Sequence, residues 1–174
     1  AEAEFIPEEP SGSIELTFTF DGSELKGKTI VAFETLTVNK KEVAVHADIT
    51  DESQTIYFPE IRTSAKDRED GDQEVATNTK VTIVDTVSYK NLISDGKHTY
   101  RIKGILMDKK TGKALLIDNK QVTSETEFIP KKPDGNVELS FTFDSRTLAG
   151  HEVVVFEQLL YVHGKTEVLI ATHE

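Results

Sequence analysis

An internal repeat constrains the fold of this chain more than any other feature of its sequence. Residues 2–34 align with residues 125–157 at a constant offset of 123, and 18 of the 33 aligned positions are identical. If the second copy carries four additional residues, His46 of the first copy aligns with His173 of the second. A repeat of this length indicates two related folding units, so it has to be recognised before secondary structure is assigned.

We place the boundary between the two units at Pro59. The first copy continues past its histidine into the sequence DITDESQT, whereas the second copy ends one residue after its histidine. Residues 1–58 are therefore predicted to be the C-terminal part of one domain, and residues 59–174 the next domain without its final strand. A strand that carries Gln54 is expected to end before the boundary, and a strand that carries Thr63 to begin after it.

Alternating apolar and polar residues predict β-strands in both copies. Residues 13–20 (SIELTFTF) place four apolar side chains on one face, and residues 136–143 (NVELSFTF) repeat the pattern. Alternation of this kind is typical of strands with one buried face. Polar or Gly-containing turns separate β-branched arms in three predicted hairpins, LTVNKKEVAV, ILMDKKTGKALLI and LYVHGKTEVLI. Short strands separated by frequent turns indicate an all-β fold, an antiparallel sandwich.

Composition excludes several classes of function. The net charge of −11 argues against a nucleic-acid partner, because phosphate contacts need a basic face. Cys is absent, so disulfides and cysteine-based metal sites are excluded. No apolar run approaches the roughly 20 residues of a membrane span, and no signal peptide opens the chain. We therefore expect no direct membrane insertion, and we expect any export signal or anchor outside this sequence. No phosphate loop or coenzyme fingerprint is present, so no cofactor is expected.

The chain contains the phrases IVDTVSYKNL, GILMDKKTGKALLIDNKQVTSETEF, FTFD, VVVFE and HADITDESQT. These phrases resemble the Gram-positive surface-protein repeats that carry a self-formed Thr–Gln ester cross-link, and the resemblance covers nearly the whole chain. It implies Ig-like β-sandwich repeats in tandem, acting as the stalk of an adhesin on the bacterial cell surface. Anchoring to the cell wall would then depend on regions outside this sequence.

The same resemblance implies roles for four residues of the second unit. Thr63 would be the nucleophile, Asp85 and Glu157 the acidic groups, and His173 the base. These residue types suit the chemistry, because a hydroxyl needs a base to become a good nucleophile and an amide needs a polarised carbonyl to become a good electrophile. The reaction would be a single self-directed acyl transfer without turnover, so we do not expect an enzyme.

In the first unit the resemblance implies that Glu34, His46 and Gln54 form the end of another such site. The Thr and the first Asp of that site would lie in the preceding part of its domain. The Gln that completes the second site would lie eight residues after His173, by analogy with the spacing between His46 and Gln54.

Each assignment has an ordinary alternative. Glu34 and Glu157 close apolar runs, where a carboxylate is costly to bury unless it is paired or protonated, so either structural pairing or a shared-proton pair with an Asp would explain them. Asp85 could instead cap a turn, and both candidate histidines could be exposed at strand ends. Gln54 could be a surface amide. Weaker candidates for the nucleophile are Thr77, Thr79 and Thr82.

Two further possibilities concern ligands. His46, Asp48 and Asp51 could bind a metal, but no second histidine lies at a useful spacing, and no metal site is expected. A ligand-binding adhesin domain that recognises a host protein or glycan is the alternative function. The chain has four Tyr and no Trp, and the scarcity of such aromatic anchors argues against this alternative.

The expected partners are neighbouring repeats of the same protein. A strand-swapped association with another copy is also expected, because 59–174 lacks the strand that 50–58 would supply. An unpaired sheet edge is open to strand addition of this kind.

Overall fold

A computed structural model describes residues 1–174, and the chain contains no α-helix. Two short 3₁₀ turns cover Ser23–Leu25 and Glu52–Gln54. The strands are β1 (Thr29–Val31), β2 (Glu34–Val38), β3 (Lys41–His46), β4 (Thr55–Tyr57), β5 (Glu60–Asp67), β6 (Val81–Lys90), β7 (Thr99–Asp108), β8 (Lys113–Ala114), β9 (Leu116–Ile117), β10 (Lys120–Gln121), β11 (Thr123–Phe128), β12 (Gly135–Phe143), β13 (Val153–His163) and β14 (Thr166–His173). The predicted all-β class is confirmed. None of the chain's helical segments has the length and apolar character needed to cross a membrane.

Two antiparallel sheets dominate residues 59–174. One has the strand order β11-β7-β13-β14, with β8 also paired to β7, and the other has the order β12-β6-β5. The remaining sheets are two-stranded and pair β1 with β4, β2 with β3, and β9 with β10. Every pairing is antiparallel, as predicted.

The two large sheets share one hydrophobic core. Phe141 and Leu139 come from β12, whereas Ile102, Leu106 and Leu159 come from the other sheet, and all five are essentially inaccessible to solvent. They occupy alternate positions along their strands, because successive side chains of a strand point to opposite faces. The apolar alternation of the sequence therefore becomes the inner face of each sheet.

Gly104 in β7 packs closely against side chains of the opposite sheet. A Cβ atom at this position would lie 2.6 Å from Leu139 Cδ1 and 2.8 Å from Phe141 Cζ. Glycine is required here because the side chains of the opposite sheet occupy the space that a methyl group would fill. Gly104 is also the cross-strand partner of Glu157 in β13, so this tight packing borders the candidate site.

The two copies of the repeat form the same hairpin. Glu34 pairs with His46 in β2 and β3, and Glu157 pairs with His173 in β13 and β14. Each hairpin also has one irregularity in its register, after Leu36 in the first copy and after Leu159 in the second. These leucines are aligned positions of the repeat, so the alignment made from the sequence also holds for the local backbone.

The predicted strand at 13–20 does not form in this chain. Its counterpart at 136–143 lies in β12 and pairs with β6 along its whole length, but 1–58 contains no counterpart of β6. Alternation makes a segment suitable for a half-buried strand, whereas the strand itself needs a hydrogen-bonded neighbour. Without that neighbour, Phe18 remains 52% exposed, while its aligned partner Phe141 is 1% exposed.

The first unit as a whole has no core. None of its 58 residues is buried, and it contributes thirteen of the eighteen large hydrophobic residues that are exposed in the chain. The hydrophobic core begins at Ile61 and lies entirely within the second unit. The apolar faces of the first unit are therefore suited to packing against further strands.

The aligned phenylalanines give a matched test of this difference. Phe141→Ala should reduce the free energy of unfolding by about 3–5 kcal/mol, because it leaves a cavity between the two sheets. Phe18→Ala should change it by less than about 0.5 kcal/mol, because the ring is half exposed. Urea unfolding of both variants measures the two effects. Equal losses would contradict the assignment of the core to the second unit.

Candidate functional site

Two carboxyl groups lie in the core of the second unit. Asp85 occupies the inward face of β6, between Ile83 and Val87, and Glu157 occupies the inward face of β13, between Val155 and Leu159. Both acids are completely inaccessible to solvent. The period of two along each strand explains their placement, because an acid within a run of alternate apolar residues shares their buried face.

Thr63 lies on the strand next to Asp85. In the pairing of β5 with β6, Thr63 is opposite Val87 and Ala65 is opposite Asp85. The Thr63 side chain is on the same face of β5 as buried Ile61, so it points toward the acids. Its hydroxyl group acts on both carboxyl groups, since it opposes the rise in the pKa of Asp85 and of Glu157.

His173 completes the cluster from the neighbouring strand. It is the cross-strand partner of Glu157, so the two side chains lie on the same side of the sheet. His173 Nδ1 lies 3.3 Å from Glu157 Oε2, and the histidine side chain is 43% exposed. The site therefore has a buried acidic end and a histidine that remains accessible to solvent.

Burial keeps at least one of the acids protonated. Removal from water and, to a smaller extent, the nearby charge of Asp85 together raise the pKa of Glu157 to about 9. Burial also raises the pKa of Asp85, although the neighbouring Glu157 side chain and the charge of His173 act in the opposite direction. Two acids this close titrate as a pair, and the repulsion between two negative charges disfavours ionisation of both at neutral pH.

The pair is poorly satisfied by hydrogen bonds within the chain. Asp85 and Glu157 are close enough to shift each other's pKa, yet none of their four oxygen atoms has a partner in good hydrogen-bonding geometry. Buried polar atoms without partners are rare in folded proteins and often have a role in binding or chemistry. These oxygen atoms are available to a polar group that enters the site.

An open groove runs beside Thr63 and leads to this cluster. Its walls come from β5, through Ile61 and Thr63, and from β14, through Leu169 and His173. Both strands are at the edges of their sheets. A polypeptide segment in this groove would approach the Thr63 hydroxyl from the solvent side.

The first unit holds a second, smaller cluster. His46 Nδ1 lies 3.4 Å from Glu34 Oε2, as in the pair formed by His173 and Glu157. His46 Nε2 lies 3.0 Å from Asp51 Oδ2. The contact with Asp51 was not predicted from the sequence, which suggested Asp51 only as a metal ligand. The spacing of five residues between His46 and Asp51, across a turn, was the available signal.

Gln54 lies just outside a strand, contrary to the prediction. It is the last residue of the 3₁₀ turn Glu52–Gln54, and the strand β4 begins at the next residue. Asp51 caps this turn by accepting a hydrogen bond from the Ser53 amide, and capping by Asp favours a helical turn over an extended strand. Gln54 is not among the residues that line the groove beside Thr63.

The comparison with protein families identifies the chain. A family model described as "T-Q ester bond containing domain" matches residues 1–58 and 59–174. The chain belongs to the T-Q ester bond containing domain family. The family match indicates a self-cross-linking module of the adhesin type, and domains of this family are typical of surface adhesins. No curated protein matches the chain.

Membership of the T-Q ester bond family makes the surroundings of each threonine informative. Thr63 lies beside the buried acids, whereas Thr82 faces the other side of β6, where its hydroxyl contacts that of Thr142 at 2.9 Å. Thr77 and Thr79 lie in the loop between β5 and β6. Of the four candidates, Thr63 alone acts on the pKa of both acids.

The raised pKa of Glu157 predicts how stability depends on pH. The folded chain keeps Glu157 protonated up to about pH 9, whereas the unfolded chain ionises it above 4.5. The folded state therefore binds more protons in this interval, and the contribution of this group to the free energy of unfolding falls as pH rises. The fall is at most about 1.4 kcal/mol per pH unit.

Glu157→Gln removes this dependence. The stability of the variant relative to the parent should therefore increase between about pH 5 and about pH 8. Urea unfolding at several pH values measures the difference, and Glu138→Gln, at an exposed position of β12, is the control for a carboxyl group outside the core. A relative stability of Glu157→Gln that falls with pH would contradict a protonated Glu157.

Proposed function

We propose that this chain is part of a structural stalk in a Gram-positive cell-surface adhesin, and that its domains cross-link themselves through a Thr–Gln ester. In this proposal each domain is an Ig-like sandwich, the domains are repeated in tandem, and the protein is anchored to the cell wall through regions outside this sequence. The observation that carries the proposal is a threonine hydroxyl beside two buried carboxyl groups, one of which, Glu157, is in contact with a histidine.

The proposed reaction joins the Thr63 oxygen to the side-chain carbonyl carbon of a glutamine. The bond from this carbon to the amide nitrogen breaks, and the nitrogen leaves as ammonia together with the proton of the Thr63 hydroxyl. No other reactant is needed. A protonated Glu157 can donate a hydrogen bond to the amide carbonyl oxygen, on which negative charge develops during the attack.

The proton follows the contacts within the cluster. The Thr63 hydroxyl is next to Asp85 and Glu157, and His173 contacts Glu157. The hydroxyl proton therefore passes to the carboxyl pair, Glu157 gives a proton from the pair to His173 Nδ1, and His173 delivers a proton to the departing nitrogen, so the pair ends in its starting protonation state. The sequence predicted that His173 is the base of the reaction. In this proposal His173 receives the proton through Glu157 and not directly from the Thr63 hydroxyl.

The first unit indicates where the glutamine would enter. In that unit the Gln54 carbonyl oxygen accepts a hydrogen bond from the Ala32 amide at 3.1 Å. The repeat offset of 123 makes Val155 the counterpart of Ala32. Val155 lies two residues before Glu157 on the same inward face of β13. A glutamine with the same backbone bond would therefore lie next to the buried acids.

The backbone of β13 is free to make this bond. The Lys109 amide donates to the Glu152 carbonyl, which marks the side of β13 that faces β7. Hydrogen bonding alternates from one residue to the next in antiparallel pairs, so the amide of Val155 points away from β7. On that side β14 reaches only as far as Glu157. An additional strand can therefore continue the edge beyond His173.

Neighbouring repeats are the proposed partners of the exposed apolar faces in 1–58. A strand-swapped association with another copy is also proposed, in which 50–58 of one copy pairs with the open edge beside Thr63 of the other.

Mass spectrometry tests the ester directly. A chain extended after Glu174 by the sequence of residues 48–58 places a Gln eight residues after His173. We expect this extended chain to lose the mass of one ammonia when it folds. Thr63→Ala and an Ala in place of the added Gln should both retain the encoded mass, whereas Thr63→Ser should still react because it keeps the hydroxyl. An extended parent with its encoded mass would refute the proposed function.

The ester should also stabilise the extended chain. It closes a loop on the order of 100 residues, and the chain-entropy estimate made for disulfides assigns such a loop about 4–5 kcal/mol. The extended parent should therefore melt at a higher temperature than its Thr63→Ala variant in calorimetry. Thr63→Val is the matched control, because it keeps the size and β-branching of threonine without the hydroxyl. Equal melting of the parent and Thr63→Val would contradict a stabilising cross-link.

A further inference from the structure

Asp51 joins the histidine of the first unit to the turn that carries Gln54. Its Oδ2 atom lies 3.0 Å from His46 Nε2. Its Oδ1 atom accepts hydrogen bonds from the Ser53 amide at 2.8 Å and from the Ser53 hydroxyl at 2.6 Å. The two oxygen atoms of one carboxylate therefore hold two different parts of the cluster.

The backbone of Asp51 holds the same turn. Its carbonyl oxygen accepts from the Gln54 amide at 3.3 Å and from the Thr55 hydroxyl at 2.6 Å. Gln54 and the first residue of β4 are thus attached to Asp51, while the carboxylate of Asp51 is attached to His46. Asp51 therefore links His46 to the turn that carries Gln54.

We infer that Asp51 is a positioning residue for ester formation at Gln54, because it holds the Nε2 proton of His46 and the turn of Gln54 in one arrangement. This inference deepens the proposed function and rests on it for the meaning of the ester. A carboxylate at Nε2 stabilises the tautomer with its proton on Nε2, and the lone pair then remains on Nδ1. Nδ1 is the atom that faces Glu34.

The charge state of Asp51 suits this role. Hydrogen bonds from Ser53 hold its pKa below the usual value, and the charge of His46 acts in the same direction. Asp51 is therefore ionised at neutral pH and can stabilise a positive charge on the histidine when it accepts a proton. In the second unit the corresponding Nδ1 atom of His173 faces Glu157, which is protonated. A protonated carboxyl group can donate its proton to Nδ1 only if that nitrogen carries a lone pair.

Asp48 provides a matched control within the same segment. Its Oδ1 atom accepts from the Thr50 amide at 2.8 Å and from the Thr50 hydroxyl at 2.7 Å, which repeats the contacts between Asp51 and Ser53. Of these two aspartates, only Asp51 forms an ion-pair contact with the His46 ring. A difference between Asp48→Asn and Asp51→Asn therefore reports the contact with histidine, since both variants alter a turn of the same kind.

The first measurement is the tautomer of His46 in the full chain, from long-range ¹H–¹⁵N spectra at roughly pH 8, above the ordinary pKa of histidine. The parent should carry the proton on Nε2. In Asp51→Asn the amide oxygen should keep the hydrogen bonds from Ser53, so the amide NH₂ would face Nε2. Because an NH₂ group donates, Nε2 must then accept, and the ring proton should move to Nδ1. Asp48→Asn should leave the tautomer unaltered, and so should Ser53→Ala, which keeps the carboxylate. A parent tautomer with the proton on Nδ1, or one that Asp51→Asn does not change, would overturn the inference.

The second measurement is the rate of ester formation in the chain extended by the sequence of 48–58, in which the added segment carries its own copy of Asp51. Asn at that copy should slow ester formation about tenfold or more, because misplacement of reacting groups by about 1 Å has effects of this size. Asn at the copy of Asp48 should leave the rate within about twofold of the parent. Equal rates for the parent and the Asp51-copy variant would refute the positioning role.

If the extended parent forms no ester at all, the proposed function fails, while the tautomer measurement still decides whether Asp51 orients the ring.

Discussion

The burial of two carboxyl groups side by side is the constraint on which the rest of the site depends. Asp85 and Glu157 project from facing sheets into a core of large apolar side chains, where two negative charges could not coexist. Protonation of Glu157 resolves the conflict, and the neutral acid can donate a hydrogen bond. The same burial brings the acids to Thr63 on one side and His173 on the other. A site of this kind needs the rigid frame of two paired sheets, since strands fix which face each side chain occupies.

Strand pairing explains why the two copies of the repeat differ in structure. The segments 13–20 and 136–143 have the same alternation, but only the second has a neighbour, β6, that satisfies its backbone. The hairpins of the two copies need no outside partner, because each contains both of its strands. They share one register and one irregularity. The two copies therefore share the hairpins, whose strands pair with each other, and they differ at the segments that need a strand from elsewhere in the chain.

The turn before β4 shows how similar local chemistry can serve different purposes. Asp48 and Asp51 both accept hydrogen bonds from the amide and the hydroxyl of the residue two positions ahead. Only Asp51 has a second oxygen in contact with the His46 ring. The turn geometry is set by short-range hydrogen bonds, whereas the contact with His46 depends on how the chain returns past the end of β3. A glutamine attached to such a turn is held with respect to the histidine before any partner arrives.

The sequence by itself determined the strand class, the repeat and the family to which the chain belongs. Period-2 alternation predicted β12 correctly, and the aligned positions of Glu34 with Glu157 and of His46 with His173 proved to be equivalent in the hairpins. These features depend on local pattern, which is written directly in the order of residues. The tertiary structure decided which patterned segments became strands and which acids became a pair, because both depend on neighbours distant in the chain. Turn capping by Asp85 remains an alternative in the sequence, and the pairing of β6 with its neighbours places the side chain in the core instead. The contact of Asp51 with His46 likewise depends on the turn that follows β3. Gln54 was predicted to lie in a strand, but the cap at Asp51 supplies hydrogen bonds that extended backbone would not, and the strand begins one residue later.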